Sequence, residues 1–310
     1  MNHFTSVKDV TDLNALVNRA IAFKKNPISD KTRNGKRIGL VFFNPSLRTR
    51  LSSVVAAQNL GVESVVFDIG KDGWALEFED GVKMDGTKAE HIKEAAAVMG
   101  LYFDAIGVRT FPGLTSKEED YSERVINGFL QNSGVPIISL ESATSHPLQA
   151  LADLITIREH EISKPKVVLS WAPHVKALPQ AVPNAFAEWM LAADLDLTIT
   201  HPEDYALDEH FTEGATVTYD QSEALEDADF VYIKNWSSYQ HYGQILSHDE
   251  SWRFSSRHLE LTKHAKVMHC LPVRRGVVIE DEILDSPNAI HLQQAENRVY
   301  AAQAVMSQLL

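Results

Sequence analysis

The stretch 38-IGLVFFNPSLRTRLSS-53 passes from an apolar run, through Asn-Pro-Ser, into a segment that carries two arginines. The run is rich in β-branched and aromatic residues, which favours a strand. Ser46 follows it at a position typical of a helix N-terminus. Because a strand that leads directly into a helix is the unit of a parallel sheet covered by helices, this stretch predicts an α/β fold.

The same alternation of short apolar runs and helical segments continues along the chain. Strands are predicted at 38–43, 64–67, 105–109, 136–140, 166–171, 196–200, 215–219, 229–234 and 266–270. Helices are predicted at 9–25, 47–60, 88–100, 146–160, 180–193 and 295–309, with a long loop at 68–86. We therefore expect two doubly wound parallel-sheet domains joined by interdomain helices. The first is expected at 1–145 and the second at 146–289, with a C-terminal helix at about 290–310 that packs back on the first.

Composition limits the classes of protein to which this chain can belong. Its 310 residues are 44% hydrophobic and carry a formal net charge of −13, which disfavours a general nucleic-acid or membrane-surface role. Cys270 is the single cysteine, so no internal disulfide forms and a reducing compartment fits. The N-terminal residues lack the pattern of a signal peptide, and no run of about 20 apolar residues spans a bilayer. We expect a soluble cytoplasmic protein.

Polar or charged residues follow six of the predicted strands. In open α/β sheets, ligands bind at the carboxyl ends of the strands, so these residues are candidates for one site. They are Ser46 with Arg48 and Arg50; Arg109; Glu141 with His146 and Gln149; Pro173 with His174; Lys234 with Trp236; and Cys270 with Arg274 and Arg275.

The segment that begins at Ser46 predicts an anion site. A helix N-terminus offers free N–H groups, Arg48 and Arg50 add planar donors suited to phosphate oxygens, and Thr49 adds a hydroxyl. The alternative is that both arginines are solvated residues on a helix surface. Because neither GxxxxGK[ST] nor GxGxxG follows a strand, nucleotide binding is not supported and the anion is expected to be small.

His146 and Gln149 lie one helical turn apart, where they could hold a carbonyl oxygen and an NH2 group together. The alternative is a capping histidine with an exposed glutamine. Cys270 is not assigned as a nucleophile, because its neighbour His269 points to the opposite face of a continuing strand. The 13 histidines show no metal-ligand spacing, so neither a metal nor another cofactor is expected.

Three motifs, NPSLRTR at 44–50, HPLQ at 146–149 and HCLP at 269–272, together resemble those of the aspartate/ornithine carbamoyltransferase family. The resemblance extends over essentially the whole chain. It implies a carbamoyl phosphate-binding domain at 1–145, an amino acid-binding domain at 146–289, and homotrimers with shared active sites. Trp74 resembles the residue that reaches into a neighbouring subunit's site. Its alternative is a loop aromatic that covers its own core.

The resemblance also implies which residues bind carbamoyl phosphate. They are Ser46, Leu47, Arg48, Thr49, Arg50, Trp74, Arg109, His146, Gln149, Cys270, Leu271 and Arg298. Among them, Arg109, His146, Thr49 and Cys270 are expected to act in catalysis. His146 could act either as a hydrogen-bond donor or as a general acid.

The segment 234-KNWSSYQHYG-243 departs from the ornithine enzymes, which carry an Asp two residues before a Trp to pair with the α-ammonium of ornithine. Lys234 occupies the Asp position. At an effective dielectric of about 20, a lysine facing that ammonium repels it by roughly several kcal/mol. We therefore predict an acylated ornithine. Its expected ligands are Glu141, His174, Lys234, Cys270, Leu271 and Arg274.

Ala89 indicates the acyl group, because the acetylornithine enzymes have a Glu at the corresponding site. An alanine side chain is small and uncharged, so it neither blocks nor repels the distal carboxylate of a succinyl group. Succinyl-type enzymes have Pro at this position. The acetyl enzymes also have a Lys where this chain has Val278. We predict transfer of the carbamoyl group to the δ-amine of N-succinyl-L-ornithine, in arginine biosynthesis. The alternatives are N-acetyl-L-ornithine, another amine such as putrescine or aspartate, and a non-catalytic phosphate-binding module.

Overall fold

A computed structural model describes residues 1–28, 32–235 and 238–310. They form two compact units. The first contains residues 1–113, 118–148 and 298–310, and the second contains residues 114–117 and 149–297. Three of the breaks between the units fall inside helices: one leaves only Lys117 of a short helix in the second unit, and the other two divide longer helices.

The first unit is built on a four-stranded parallel sheet. The strands of this half of the chain are β1 (Arg37–Phe42), β2 (Glu63–Asp68), β3 (Leu76–Glu77), β4 (Glu90–His91), β5 (Ala105–Arg109) and β6 (Ile137–Glu141). The sheet order is β2-β1-β5-β6, while β3 and β4 form a separate parallel pair. The helices are α1 (Leu13–Lys25), α2 (Arg48–Leu60), α3 (Ile69–Asp72), α4 (Ile92–Tyr102), α5 (Lys117–Tyr121) and α6 (Arg124–Asn132).

The second unit holds a five-stranded parallel sheet. Its strands are β7 (Lys166–Ser170), β8 (Asp196–Thr200), β9 (Thr216–Thr218), β10 (Phe230–Ile233) and β11 (Lys266–Met268), in the order β11-β10-β7-β8-β9. The helices are α8 (Ala181–Ala192), α9 (Glu209–Thr212), α10 (Gln221–Leu225), α11 (Ser256–Glu260) and α12 (Asp281–Leu284). Helices α7 (Pro147–Glu159) and α13 (His291–Leu309) belong to both units.

The central strands of each sheet are buried, which accounts for their continuous apolar sequence, whereas the edge strands β2 and β9 are partly exposed. In the first unit, Val41, Ile106 and Ile137 pack with Phe129 of α6 in one cluster. In the second unit, Val168, Val231 and Val267 pack with residues of α10 and α12. Among the described residues, no helix combines the length and the hydropathy that crossing a bilayer requires.

The predicted α/β fold with two doubly wound parallel sheets is confirmed, and all nine predicted strands are present within two residues of the expected ends. Helix starts are less accurate. Helix α1 begins at Leu13 rather than at residue 9, because the Asp12 carboxylate accepts the Ala15 N–H at 2.8 Å and caps the helix there. Helix α4 begins at Ile92 rather than at residue 88, because Glu90 and His91 pair as β4 with β3.

The predicted loop at 68–86 was too long. It contains α3, whose first turn is capped by the Asp68 side chain, and also β3. Helices of four or five residues, such as α5 and α10, were missed because fewer than two turns leave little periodic signal. The longest of the missed helices, α6, is nine residues long and buries Ile126 and Phe129.

Candidate active site

The turn between β1 and α2 carries the arginine-rich segment. Helix α2 begins at Arg48, and its first helical hydrogen bond runs from the Leu51 N–H to the Leu47 carbonyl at 3.1 Å. The N–H groups of Thr49 and Arg50 precede that bond and so have no carbonyl within the helix to reach. The Arg50 guanidinium lies over the Phe42 ring at 5.5 Å, and Ser46 is half-buried in the turn. The helix start thus presents N–H groups and guanidinium groups together.

Thr49, His146 and Arg298 come from distant parts of the sequence and meet in the first unit. Arg298 Nη2 donates to Thr49 Oγ1 at 2.6 Å and lies 3.4 Å from His146 Nε2. All three side chains are at least 95% buried. Since α13 delivers Arg298 to the start of α2, three of the predicted carbamoyl phosphate residues share one polar cluster.

Arg109 extends this cluster from the end of β5. Its Nε and Nη2 donate to Glu141 Oε2 at 3.1 and 2.8 Å, and its Nη1 donates to the carbonyls of Asn44 and Pro45, both at 3.0 Å. Glu141 Oε2 also lies 3.7 Å from His146 Nε2. A buried carboxylate and two carbonyls therefore fix the guanidinium plane beside the β1–α2 turn. Glu141, which was predicted to hold the acylornithine, lies here against Arg109 and His146.

In the second unit, α7 brings Gln149 beside a buried acid. Gln149 Nε2 donates to Asp153 Oδ1 at 2.8 Å, and Asp153 is fully buried.

The HCLP turn follows β11. In it, the Leu271 N–H donates to His269 Nδ1 at 2.9 Å, and Leu271 adopts a left-handed φ of 58°. Such a φ is uncommon for a branched side chain and occurs where surrounding contacts hold the backbone.

Elsewhere in the second unit, the cationic side chains of Arg274 and Lys234 lie near His174. Arg274 Nε lies 3.2 Å from His174 Nε2. Burial lowers the pKa of His174 below its usual 6.5, and the positive charges of Arg274, Lys234 and Lys176 lower it further. Lys234 is only 8% exposed. The positive charges that lower the pKa of His174 also form a site suited to anions.

Trp74 and Ala89 lie on adjacent segments of the first unit. The Ala89 N–H donates to the Ala75 carbonyl at 3.2 Å, and Trp74 Nε1 donates to Glu90 Oε2 at 2.9 Å. Trp74 is 57% exposed, so the alternative that it covers its own core is wrong. Ala89 is also exposed. Neither side chain joins the Arg109 cluster of its own unit.

The strand-end residue Arg275 does not contribute to these clusters. Arg275 donates to both carboxylate oxygens of Asp285, at 3.0 and 2.7 Å, so its guanidinium serves an exposed ion pair. Trp236 lies outside the described residues.

Sequence reasoning missed three polar residues that organise the second unit, namely Asp153, Gln294 and Tyr232. Asp153 had a signal, because it follows Gln149 by four residues, on the same face of an otherwise apolar helix. Gln294 and Tyr232 had none, because only tertiary packing brings them to Asp153.

Two family models match this chain. The description "Aspartate/ornithine carbamoyltransferase, carbamoyl-P binding domain" matches residues 2–159, and "Aspartate/ornithine carbamoyltransferase, Asp/Orn binding domain" matches residues 181–309. The N-succinylornithine carbamoyltransferase of Bacteroides fragilis (strain 638R) is 50% identical over 315 residues, covering 100% of this chain and 99% of that protein. The N-acetylornithine carbamoyltransferase of Xanthomonas campestris pv. campestris is 37% identical over 334 residues, covering 100% of this chain and 98% of that protein.

Solved structures of N-acetyl-L-ornithine transcarbamylase also match. Two variants of that enzyme, with alanine or proline in place of one glutamate, are complexed with carbamyl phosphate and N-succinyl-L-norvaline. Each superposes on this chain with a TM-score of 0.95 at 37% identity, and both chains are covered over 100% of their length.

Proposed function

Because this chain belongs to the aspartate/ornithine carbamoyltransferase family and is a transferase, we propose that it moves the carbamoyl group of carbamoyl phosphate to the δ-amine of N-succinyl-L-ornithine. The products are N-succinyl-L-citrulline and phosphate. Support comes from the 50% identity to an N-succinylornithine carbamoyltransferase over the full length. We assign the reaction to arginine biosynthesis and the protein to the cytoplasm, where a free Cys270 thiol is stable. The first unit takes the carbamoyl phosphate role and the second the acylornithine role.

The observation that carries this proposal is the cluster of His174, Lys234 and Arg274. N-succinylornithine has two carboxylates, and its α-nitrogen is a neutral amide. Lys234 and Arg274 offer two positive charges to the two carboxylates, and Arg274 can pair with a carboxylate through two parallel hydrogen bonds. Free ornithine would bring an ammonium to the same cations and be repelled.

Ala89 supports the succinyl group independently. An acetylornithine enzyme carrying alanine or proline in place of one glutamate is complexed with a succinyl compound. We propose that Ala89 stands at the position of that glutamate, where its small neutral side chain leaves space for the distal carboxylate.

For the chemical step, we assign the phosphate group to the N–H groups and guanidinium groups at the start of α2. Four of the five N–H donors of Arg109 are engaged by Glu141, Asn44 and Pro45 within the described structure. The remaining Nη2 N–H is the donor we assign to the carbamoyl oxygen, with Thr49 and His146. These groups stabilise the negative charge that develops on that oxygen.

The neutral δ-amine forms a bond to the carbamoyl carbon, and the bond from that carbon to the phosphate oxygen breaks. The proton lost by the amine goes to the departing phosphate. The Cys270–Leu271 backbone orients the amine, and no covalent enzyme intermediate forms. The rate enhancement therefore comes from positioning and electrostatic stabilisation.

We also propose a homotrimer in which subunits share active sites. Leu47, which directly precedes α2, and Leu51 and Val55 on α2 are 68%, 56% and 40% exposed, and their spacing of four residues puts them on one side of the helix. Trp74 and Ala89 project from the same unit without contributing to its Arg109 cluster. A second copy that covers the apolar face would receive Trp74 and Ala89 at its own site.

The test compares ornithine, N-acetyl-L-ornithine and N-succinyl-L-ornithine as acceptors of the carbamoyl group, with putrescine and aspartate as further amines. Phosphate release and the carbamoylated product are both measured. We expect kcat/KM to be highest for N-succinyl-L-ornithine. Activity mainly on free ornithine would contradict the role given to Lys234.

N-acetyl-L-ornithine is the second candidate, because the solved structures that match this chain are acetylornithine transcarbamylases. A higher kcat/KM for the acetyl than for the succinyl compound would favour it and would refute the role of Ala89.

A further inference from the structure

Asp153 is a fully buried carboxylate at the centre of a polar network in the second unit. Its Oδ1 accepts hydrogen bonds from Gln149 Nε2 at 2.8 Å and from Gln294 Nε2 at 2.9 Å. A buried carboxylate is costly unless hydrogen bonds compensate for its lost hydration. The Asp153 carboxylate receives these hydrogen bonds from two side-chain amides, one on α7 and one on α13.

The carboxylate fixes how both amides are oriented. A side-chain amide has a donor end and an acceptor end, whereas an ionised carboxylate only accepts. The NH2 end of Gln149 must therefore face Asp153, so its Oε1 faces away from the carboxylate as an acceptor. A reversed amide would place its oxygen against a negative charge.

Asp153 fixes the orientation of the Gln294 amide in the same way, and this amide contacts the HCLP turn. With its NH2 group on Asp153, its Oε1 accepts the backbone N–H of His269 at 2.8 Å. His269 in turn accepts the Leu271 N–H at 2.9 Å. An unbroken chain of hydrogen bonds thus runs from Asp153 to the backbone that follows Cys270.

Tyr232 is a third neighbour of this carboxylate. Its hydroxyl lies beside Asp153 and Cys270, and burial, followed by the negative charge of Asp153, raises its pKa well above the usual value. Tyr232 therefore stays protonated and presents a hydroxyl proton at the end of β10.

We propose that Asp153 is a positioning residue that holds the Gln149 amide oxygen toward the NH2 group of carbamoyl phosphate and, through Gln294, holds the HCLP turn. The proposal rests on the proposed function, in which Gln149 binds the carbamoyl group. An NH2 group is a donor and requires an acceptor, which the fixed orientation of Gln149 provides. Inorganic phosphate has no such group.

The test compares binding of carbamoyl phosphate and of inorganic phosphate to the full-length protein. Asp153→Leu is similar in size and removes both acceptor oxygens. We expect carbamoyl phosphate affinity to fall roughly 10- to 100-fold, the effect of losing an oriented hydrogen bond, while phosphate affinity changes less than about twofold. Asp153→Asn keeps one neutral oxygen, and we expect a smaller loss of at least about threefold for carbamoyl phosphate.

The matched control is Thr156→Val, one turn further along α7. Thr156 is fully buried and accepts the Asn297 Nδ2 hydrogen bond at 2.9 Å, but it does not contact Gln149. We expect this variant to lower the thermal midpoint while leaving the ratio of the two affinities at its wild-type value.

Equal weakening of carbamoyl phosphate and phosphate in the Asp153 variants would reduce Asp153 to a structural role and overturn the proposal. So would unchanged carbamoyl phosphate affinity. If Asp153→Leu does not fold, Asp153→Asn supplies the same comparison. The measurement contains no amino-acid substrate, so an error in the identity of the acylornithine would not affect its result.

Discussion

Lys234, His174 and Arg274 gather positive charge in a chain whose formal net charge is −13. The bulk field of such a protein repels anions, so a local cluster must supply the attraction. At the residue scale, the choice among ornithine, acetylornithine and succinylornithine depends on how many carboxylates this cluster and its surroundings can accept.

The substitution Ala89→Glu tests whether the uncharged side chain at this position determines the preference for the succinyl substrate. We expect the ratio of kcat/KM for the succinyl over the acetyl substrate to fall at least about tenfold, equivalent to roughly 1.4 kcal/mol of repulsion between two carboxylates. Steady-state kinetics with both acylornithines measures it. Ala89→Gln is the matched control, because it adds the same volume without the charge and should shift the ratio less. Equal shifts would mean that size alone decides.

His174 predicts a pH dependence of binding. Its pKa in the protein lies below 6.5, because of burial and then the nearby cations, so it is neutral at pH 8. A bound carboxylate favours the protonated ring and raises that pKa, so binding takes up a proton. We expect affinity for N-succinyl-L-norvaline, which has no δ-amine, to increase as the pH falls from about 8 to 6, by at most about tenfold per pH unit.

Calorimetry with saturating carbamoyl phosphate measures this dependence, and His174→Gln is the comparison. A glutamine cannot take up the proton, so the variant should lose the added slope and approach the wild-type affinity at high pH. Identical slopes in the two proteins would show that His174 does not titrate with binding.

At the scale of elements, hydrogen bonds to the Glu77 carboxylate join the two ends of the segment between β3 and β4. The Glu77 carboxylate accepts the N–H groups of Phe78 and Glu79 and the Lys88 ammonium, all through Oε1 at 2.7 to 3.0 Å. These bonds, first the one from Glu79, lower the pKa of Glu77 to about 2. This segment, which ends at Ala89, is therefore positioned by local charge as well as by strand pairing.

Acid should loosen this segment. The folded pKa of Glu77 lies below its usual 4.5, so its stabilising contribution is present above that value and is lost as the pH falls toward about 2. We expect Glu77→Gln to lower the thermal midpoint at pH 7 and the difference from wild type to shrink by pH 3.5. Glu94→Gln, an exposed change on α4, is the control. A difference that stays constant with pH would exclude charge as the cause.

At the scale of the whole molecule, the proposed trimer divides each active site between two chains. Trp74→Ala and His146→Ala should each be nearly inactive as separate preparations. Each mixed trimer would have one site of three with an intact Trp74 from one chain and an intact His146 from the other, which is about a quarter of all sites after random equal mixing. We therefore expect mixing by co-expression to restore up to about a quarter of wild-type activity. Mixed trimers seen by native mass spectrometry without restored activity would contradict sharing.

The apolar runs and the residues that follow them were enough to predict both sheets, because a parallel strand buried on both faces must be apolar throughout. The NPSLRTR, HPLQ and HCLP motifs likewise predicted which residues to examine. Helix starts such as those of α1 and α4 were less predictable, because a single cap or a two-residue strand pair can shift them.

The fold class, the family resemblance and the charge change at Lys234 can be read from the amino-acid sequence, since all three are local patterns of residue type and spacing. Three arrangements could be found only from the folded coordinates: Arg298 contacts Thr49 and His146, Glu141 fixes Arg109, and Asp153 orients Gln149 and Gln294. These partners are far apart in the chain or depend on side-chain direction. Hydrogen bonds act over about 3 Å, and such distances are set by packing rather than by sequence spacing.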